Sequence, residues 1–304
     1  MGPTGAGKSE LAFSLAETFA GEIIGCDSVQ VFRHFDLGSA KTPLAERRGI
    51  PHHLIDIRDP DELFTAGDYA VLARELLGEI HARGRLPVIA GGTGFYLRAL
   101  LDGLADAPKR DEALRERLTR RETLRKGSLH RLLRRLDSDA ARRIHANDVN
   151  KLMRALEICV LASRPQSEVF AGGSLPLRGC RVLLLGLDPP RAELYRKLDA
   201  RSRAMFTGGL LEEVRSILDR GYSRRTKPFE SLAYKEALRH LSGELSLEEA
   251  IRQAQRDTRR YAKRQLTWFR RQTGVRWLGG FGDEPRIVEQ ARQITAEFLG
   301  EAPP

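Results

Sequence analysis

The sequence has few cysteines and no long apolar run, and both shortages exclude classes of protein. Its three cysteines, Cys26, Cys159 and Cys180, have neither the spacing of a disulfide framework nor that of a zinc site. No apolar stretch is long enough to span a membrane, and we expect no signal peptide, because no charged-then-apolar leader opens the sequence. These absences predict a protein of the reducing cytoplasm without a membrane partner.

Positive charge, by contrast, is abundant. The 304 residues carry a formal net charge of +10. Between Lys109 and Arg154 there are 15 Lys and Arg against 7 Asp and Glu. A second basic cluster covers residues 252–271 and includes Tyr261, Trp268 and Phe269, which could stack on bases. A basic balance of this kind indicates a polyanionic partner and favours nucleic acid over a solvated helical face.

The first nine residues, MGPTGAGKS, fit the pattern G-x-x-x-x-G-K-[ST] of a phosphate-binding loop. Its residues are Gly2, Pro3, Thr4, Gly5, Ala6, Gly7, Lys8 and Ser9. The glycines allow the backbone N–H groups to point into one concavity at the start of a helix, where anions bind. Lys8 would contact terminal phosphates and Ser9 would offer a hydroxyl to Mg²⁺.

Strand and helix patterns alternate along much of the chain. Apolar runs predict strands at 21–26, 51–57, 85–94 and 180–188. Helical patterns lie near 8–19, 67–83 and 94–103, and after the fourth strand near 191–206, 209–219, 231–242 and 247–271. This alternation predicts an α/β fold whose core is a parallel sheet. Strand patterns vanish from about 109 to 165, which predicts an all-helical insert. We therefore divide the chain into a core, 1–108, an insert, 109–178, and a second part of the core with basic helices, 179–304.

The strand that normally runs into a phosphate loop is missing, since only Met1 precedes Gly2. Without it, we expect neighbouring strands to expose unpaired backbone and apolar surface. Two explanations stay open. In the first, Met1 comes from a GTG codon, which normally encodes valine, read as a start, and the strand is encoded upstream. In the second, the protein lacks the strand.

Two polar residues directly follow predicted strands. Asp27 follows the strand at 21–26, and Thr93 follows the apolar residues of the strand at 85–94. Ligands bind at the carboxyl ends of parallel strands, so both are candidate site residues. Asp27 could also be a helix N-cap, and the two roles are compatible with each other.

An ordered set of motifs resembles one known family. GPTGAGKS, DSVQVF, GSAK, PHHLIDI, AGGTGFYLRALLDGL, RIHANDVNKLMRALE, AYKEAL and AKRQLTWFR occur in this order between residue 2 and about 280. The set is similar to that of tRNA dimethylallyltransferases, also called tRNA isopentenyltransferases. The resemblance implies a P-loop NTPase-like core with an inserted helical tRNA-binding domain, and a cytoplasmic enzyme that acts as a monomer.

The resemblance also implies an activity. Members of the family transfer a dimethylallyl group from dimethylallyl diphosphate to N6 of the adenine 3′-adjacent to the anticodon, in tRNAs that read codons beginning with U. The loop resembles an ATP site but would hold the donor diphosphate, with Mg²⁺. By resemblance, Asp27 would be the general base, Lys8 and Arg201 would contact the diphosphate, and Thr93 would lie beside donor and acceptor.

The insert would grip the anticodon stem of tRNA. The positions that match the family's tRNA contacts are Asp27, Ser28, Val29, Gln30, Thr93, Arg115, Asn150, Lys151, Leu152, Met153, Arg154, Glu230, Ser231, Leu232, Ala233, Tyr234, Lys235, Lys263, Arg264, Gln265, Leu266, Thr267, Trp268, Phe269 and Arg270. One position departs from the family pattern, which has glycine where this chain has Ala233. If that position needs a positive φ, alanine costs about 1 kcal/mol.

Three alternatives share some of these features. A P-loop kinase acting on a small metabolite would explain the loop and Asp27 but not the two basic clusters. A non-catalytic RNA-binding protein would not need the intact loop, Asp27, Thr93 and Arg201. An adenylate isopentenyltransferase shares the loop, but the long basic insert favours tRNA over a free nucleotide.

Overall fold

The fold consists of two compact units. A computed structural model describes residues 1–300. One unit contains Met1–Leu100 and the residues from Gly179 onward, and the other is Leu101–Arg178. The three segments of the sequence analysis stay a prediction, and residues 301–304 of the third lie outside the described residues. Within residues 1–300, no helix has both the length and the apolar character needed to cross a membrane.

A parallel three-stranded sheet with the order β2-β1-β3 lies in the first unit. Strand β1 is buried at all six residues, and its pairing with β3 brings Cys26 opposite Gly91, so the two strands end together. The elements of this part of the chain are α1 (Lys8–Thr18), β1 (Gly21–Cys26), β2 (His52–His53), α2 (Ala66–Ala82), β3 (Leu86–Gly91) and α3 (Gly94–Leu101).

The strand predicted at 51–57 is much shorter than expected. Only His52 and His53 pair with β1. Leu54 and Asp56 have φ values of +60° and +57°, which take the backbone out of the β region and end the strand. The prediction was therefore wrong in length, because an apolar run does not reveal backbone reversals that tertiary contacts impose.

A second parallel sheet contains β4 (Leu184–Leu187) and β5 (Val275–Leu278). The Leu187 N–H donates to the Met1 carbonyl at 3.0 Å, whereas the next N–H, of Asp188, donates to Leu278 in β5 at 2.9 Å. Met1 therefore lies on the edge of β4 that faces away from β5. The described strands form two separate sheets, and β3 is only half-buried at all six residues.

Four helices and the residues after β1 form the largest apolar core of the first unit. Phe35, Phe229 and Tyr234 pack their rings against one another there, with centroid separations of 4.7–6.4 Å. The helices of this part of the chain are α9 (Arg191–Thr207), α10 (Leu210–Asp219), α11 (Tyr234–Leu241), α12 (Leu247–Phe269) and α13 (Pro285–Leu299). Sequence patterns predicted the first four but neither β5 nor α13.

The second unit is all-helical over its regular elements. Its core contains Leu129, Leu133, Leu152 and Leu156, each with none of its surface exposed. Asp side chains begin three of its helices by accepting backbone N–H bonds, which satisfies part of each free helix end. Its helices are α4 (Glu112–Leu124), α5 (Ser128–Leu136), α6 (Ser138–Arg143), α7 (Val149–Ala162) and α8 (Gln166–Ala171).

Ala233, the residue that departs from the family pattern, has φ +68° and ψ −44°. This region favours glycine, so the alanine is strained. Its N–H donates to the buried Glu236 carboxylate at 2.9 Å, which holds the start of α11 in this conformation.

We expect Ala233→Gly to be neutral or to raise the free energy of unfolding by up to about 1 kcal/mol, because relief of about 1–3 kcal/mol of strain outweighs the lost methyl and the added chain entropy. Ala237→Gly, equally buried one turn later, is the matched control and should lower it by about 1 kcal/mol or more. Urea unfolding of both variants measures the difference. A larger loss for Ala233→Gly than for Ala237→Gly would contradict the strain.

Candidate active site

The phosphate loop has the backbone of an anion cradle. Gly2, Gly5 and Gly7 have φ values of +150°, +77° and +81°. Helix α1 begins at Lys8, and its N-cap residue, Gly7, has no side chain to cap it. Its free N-terminal N–H groups and positive dipole end therefore suit an anionic ligand.

Lys8 lies within this cradle. Its Nζ donates to the Pro3 carbonyl at 2.8 Å, which folds the side chain back over the loop. Desolvation and the nearby Arg201 charge lower the pKa of Lys8 to about 8, although the Asp27 charge acts in the opposite direction. An anion bound in the loop would raise that pKa again.

Arg201 reaches the same loop from α9. Its guanidinium donates to Thr4 Oγ1 at 2.6 Å. Desolvation lowers the pKa of Arg201, and the Asp27 carboxylate opposes this. Two desolvated cations, Lys8 and Arg201, thus share one small region, and a diphosphate would neutralise both.

Asp27 begins a tight turn at the carboxyl end of β1. Its Oδ1 accepts N–H bonds from Val29 at 2.8 Å and Gln30 at 3.3 Å. Oδ2 accepts no hydrogen bond from the described residues and remains able to accept a proton. One oxygen therefore has the capping role and the other has the freedom that a general base requires.

Thr93 lies on the neighbouring strand end, as the sequence analysis predicted. Its Oγ1 accepts the Ser28 N–H at 3.1 Å, and its N–H donates to the Cys26 carbonyl at 3.1 Å. These bonds join the turn after β3 to the turn after β1, so Thr93 and Asp27 lie at one edge of the sheet.

Sequence reasoning did not place Tyr96 or Tyr261 near Asp27. Desolvation raises the pKa of Tyr96 and of Tyr261, the latter to about 12, and the Asp27 charge adds to both effects. Tyr96 is 5% exposed and stacks on Tyr69 with ring centroids 4.5 Å apart. Tyr96 lies in the motif AGGTGFYLRALLDGL, three residues after Thr93, and this position was the sequence feature that could have identified it.

The donor atoms fit Mg²⁺ only if a phosphate ligand supplies further oxygens. Among residues 1–300, no group of three or more His, Cys, Asp or Glu side chains could hold a metal ion. Ser9 is exposed in the first turn of α1, and Asp27 has one unbonded oxygen. Mg²⁺ commonly combines one or two protein ligands with substrate phosphates and water, and these residues fit that pattern.

Two arginines of the predicted tRNA set share one buried carboxylate in the second unit. Glu157 is fully buried, and its oxygens accept bonds from Arg115 at 2.9 and 3.1 Å and from Arg154 at 2.5 Å. The partners lower the pKa of Glu157 to about 2, although burial acts in the opposite direction. The same helix α7 exposes Lys151 and Asn150 but buries Leu152 and Met153, so only part of the predicted run is exposed.

Residues 230–235, also in the predicted tRNA set, differ from one another in exposure. Glu230 is exposed, whereas Ala233 and Tyr234 are buried. The Tyr234 hydroxyl donates to Glu213 at 2.5 Å and accepts the Gly38 N–H at 3.1 Å, which fixes the GSAK segment against α11. Because Tyr234 is buried, it could affect RNA binding only by positioning the GSAK segment.

The last three turns of α12 carry a basic surface. A depression of about 420 Å³ is lined by Arg260, Lys263, Arg264, Thr267, Trp268 and Arg271. The Trp268 ring lies against Gly94, where a Cβ would come within 2.5 Å of it. Arg259 of the same helix is paired with Asp199.

Comparisons with known proteins agree on one family. A sequence profile for the family described as IPP transferase matches residues 30–272. The tRNA dimethylallyltransferase of Solibacter usitatus is 63% identical over 300 residues, which cover 99% of this chain and 98% of the relative. That of Koribacter versatilis is 51% identical over 295 residues, covering 97% and 96%.

Solved structures give the same result. A full-length tRNA isopentenylpyrophosphate transferase from Bacillus halodurans is 37% identical, with a TM-score of 0.71 and coverage of 98% of this chain and 95% of that one. A eukaryotic dimethylallyltransferase, solved while acting on tRNA, has a TM-score of 0.82 at 27% identity, and the match covers 99% of this chain and 79% of that one.

Lys8 predicts a pH-dependent affinity for anions. The side chain is charged below its pKa of about 8 and neutral above it, so affinity falls as the pH rises. We expect the ratio of inorganic diphosphate affinities, wild type over Lys8→Arg, to fall about tenfold from pH 7 to pH 9, since arginine stays charged and ligand ionisation cancels. Calorimetric titration measures the ratio. A constant ratio would contradict the lowered pKa.

Glu157→Gln should destabilise the second unit by about 3 kcal/mol at pH 7, because it leaves two arginines without their buried partner. The folded pKa of about 2 lies below the ordinary 4.5. The wild-type advantage should therefore persist above pH 4.5 and shrink as the pH falls toward 2. Urea unfolding followed by proteolysis within 101–178 measures it.

Glu116→Gln is the matched control, since Glu116 is exposed on α4 and has no ion pair among the described residues. Equal stability losses in the two variants would overturn the prediction.

Proposed function

This chain belongs to the IPP transferase family and transfers a dimethylallyl group to tRNA, and we propose that the acceptor is N6 of the adenine 3′-adjacent to the anticodon. The tRNAs would be those that read codons beginning with U. The observation that carries the proposal is the convergence of Lys8, Arg201 and Asp27. Desolvated cations and a carboxylate with one unbonded oxygen match a diphosphate leaving group and an amine nucleophile.

The cations act on the leaving group. As the allylic C–O bond breaks, negative charge grows on the diphosphate oxygens. Lys8, Arg201 and the unbonded N–H groups of the loop are already held at the loop, which reduces the reorganisation needed to stabilise that charge. Mg²⁺, held through Ser9 and the diphosphate, would supply further neutralisation of the same oxygens.

The carboxylate acts on the nucleophile. The adenine amine is weakly nucleophilic because its lone pair is delocalised into the ring. Oδ2 of Asp27 would accept an N6–H bond, and would take that proton as the C–N bond forms and diphosphate leaves. Thr93, fixed at the same sheet edge, would contact both substrates.

The adenine must leave the anticodon-loop stack to reach this edge. Enzymes that modify bases commonly extrude them, and proteins that read RNA sequence prefer unpaired loops. The exposed cations of α12 and the basic helices of the second unit would bind tRNA phosphates, with Trp268 available for stacking. We infer that the second unit grips the anticodon stem and that the enzyme acts as a cytoplasmic monomer.

Radiolabelled dimethylallyl diphosphate and Mg²⁺ test the acceptor. We expect label in unmodified tRNA with adenine 3′ of the anticodon, but not in the same tRNA carrying guanine there, and not in AMP. Label in AMP would favour an adenylate isopentenyltransferase. A γ-phosphoryl transfer from ATP, with no prenyl transfer, would favour the kinase.

Asp27→Asn separates the two roles of the carboxylate. Asparagine keeps the cap on Val29 and Gln30 but cannot accept a proton, so we expect unchanged thermal stability and a kcat lowered about 10²-fold or more. Asp68→Asn, a helix cap in α2, is the control and should leave kcat unchanged. A kcat within threefold of wild type for Asp27→Asn would exclude Asp27 as the base.

A further inference from the structure

The side chain of Gln265 joins two loops of the site through its amide. Gln265 lies in α12 and is 6% exposed. Its Oε1 accepts the Thr4 N–H at 2.8 Å, and its Nε2 donates to the Gly92 carbonyl at 2.8 Å. The phosphate loop and the turn that carries Thr93 are thus linked through one side chain.

The space around the amide is closed on the Gly92 side. A Cβ on residue 92 would lie 2.4 Å from Gln265 Nε2. Glycine is therefore required there for the amide to reach its acceptor, although the backbone of Gly92 does not have a positive φ. The close approach indicates a built contact between the turn and α12.

Thr4 is fixed at both of its polar groups. Its N–H is bonded to Gln265 and its hydroxyl to Arg201, so α12 and α9 together set the shape of the first half of the phosphate loop. At 6% exposure, little of this amide is accessible to an external ligand. This argues against the RNA contact that the family resemblance implied for Gln265.

We propose that Gln265 is a positioning residue that sets the distance between the donor cradle and Thr93. The inference rests on the proposed function and deepens it. Its chemical consequence is that removing the amide loosens donor binding and the alignment of the reaction while leaving tRNA affinity intact.

The test separates donor binding from tRNA binding. Gln265→Met removes both hydrogen bonds with little change in volume. Calorimetry with dimethylallyl diphosphate alone should show an increase in Kd of about tenfold, as expected for a lost buried hydrogen-bond pair. Fluorescence anisotropy should show a tRNA Kd within twofold of wild type. In the transfer assay, kcat should fall together with donor affinity.

Gln253→Met is the matched control. Gln253 lies in the same helix and accepts a hydrogen bond from Arg239 at 2.9 Å, away from the loop. Both dissociation constants should be unchanged. If Gln265→Met raised the Kd for tRNA and left the Kd for the donor unchanged, the proposal would be overturned in favour of an RNA contact.

Gly92→Ala provides an independent route to the same result. The added methyl should displace the Gln265 amide and raise the donor Kd in the wild-type background. In a Gln265→Ala background it should add nothing, because no amide remains to be displaced. If the two substitutions raised the donor Kd additively, the linkage would be contradicted. This comparison does not depend on whether Gln265→Met folds.

Failure of the broader function gives a different result. A wild-type protein that neither binds dimethylallyl diphosphate nor labels tRNA would overturn the proposed function. A wild type that does both, with a Gln265→Met variant that matches it in donor Kd and kcat, would overturn only the role of Gln265.

Discussion

Two cations held together without a matching anion are the constraint on which this site depends. Lys8 and Arg201 are both desolvated, and the Arg201 charge lowers the pKa of Lys8, while the Asp27 carboxylate opposes the shift in both groups. Such a pair is unfavourable for folding, so the surrounding structure must hold it in place. Under the proposed function, a diphosphate bound in the loop would relieve the repulsion and would link donor binding to the stability of the loop.

Buried polar side chains fix the local geometry within each of the two units. Glu157 holds two arginines in the second unit, Glu213 and Tyr234 hold the GSAK segment, and Gln265 joins the phosphate loop to the turn of Thr93. Each amide or carboxylate is satisfied on several sides, which fixes one geometry rather than an ensemble. Several side chains that the resemblance assigns to RNA binding, such as Arg115, Tyr234 and Gln265, therefore make hydrogen bonds inside the fold.

Local features were predictable from sequence. Helices α1, α2 and α9 to α12 were predicted close to their observed positions, because apolar spacing and capping residues are local. The sequence left open whether the position of Ala233 needs a positive φ, and in the structure it has one. The strand at 51–57 was predicted too long, and β5 and α13 were missed. A four-residue strand has too few positions to show a period.

The sequence by itself determined the phosphate loop, because its glycines and Lys8 act over nine residues and need only a following helix. It also determined the family, through the order of its motifs. Only the tertiary structure decided which side chains share a site. Gln265 meets Thr4 across 261 residues of chain, and Glu157 meets Arg115 across 42. Burial and hydrogen-bond partners at such separations depend on how helices pack, and no local pattern encodes that.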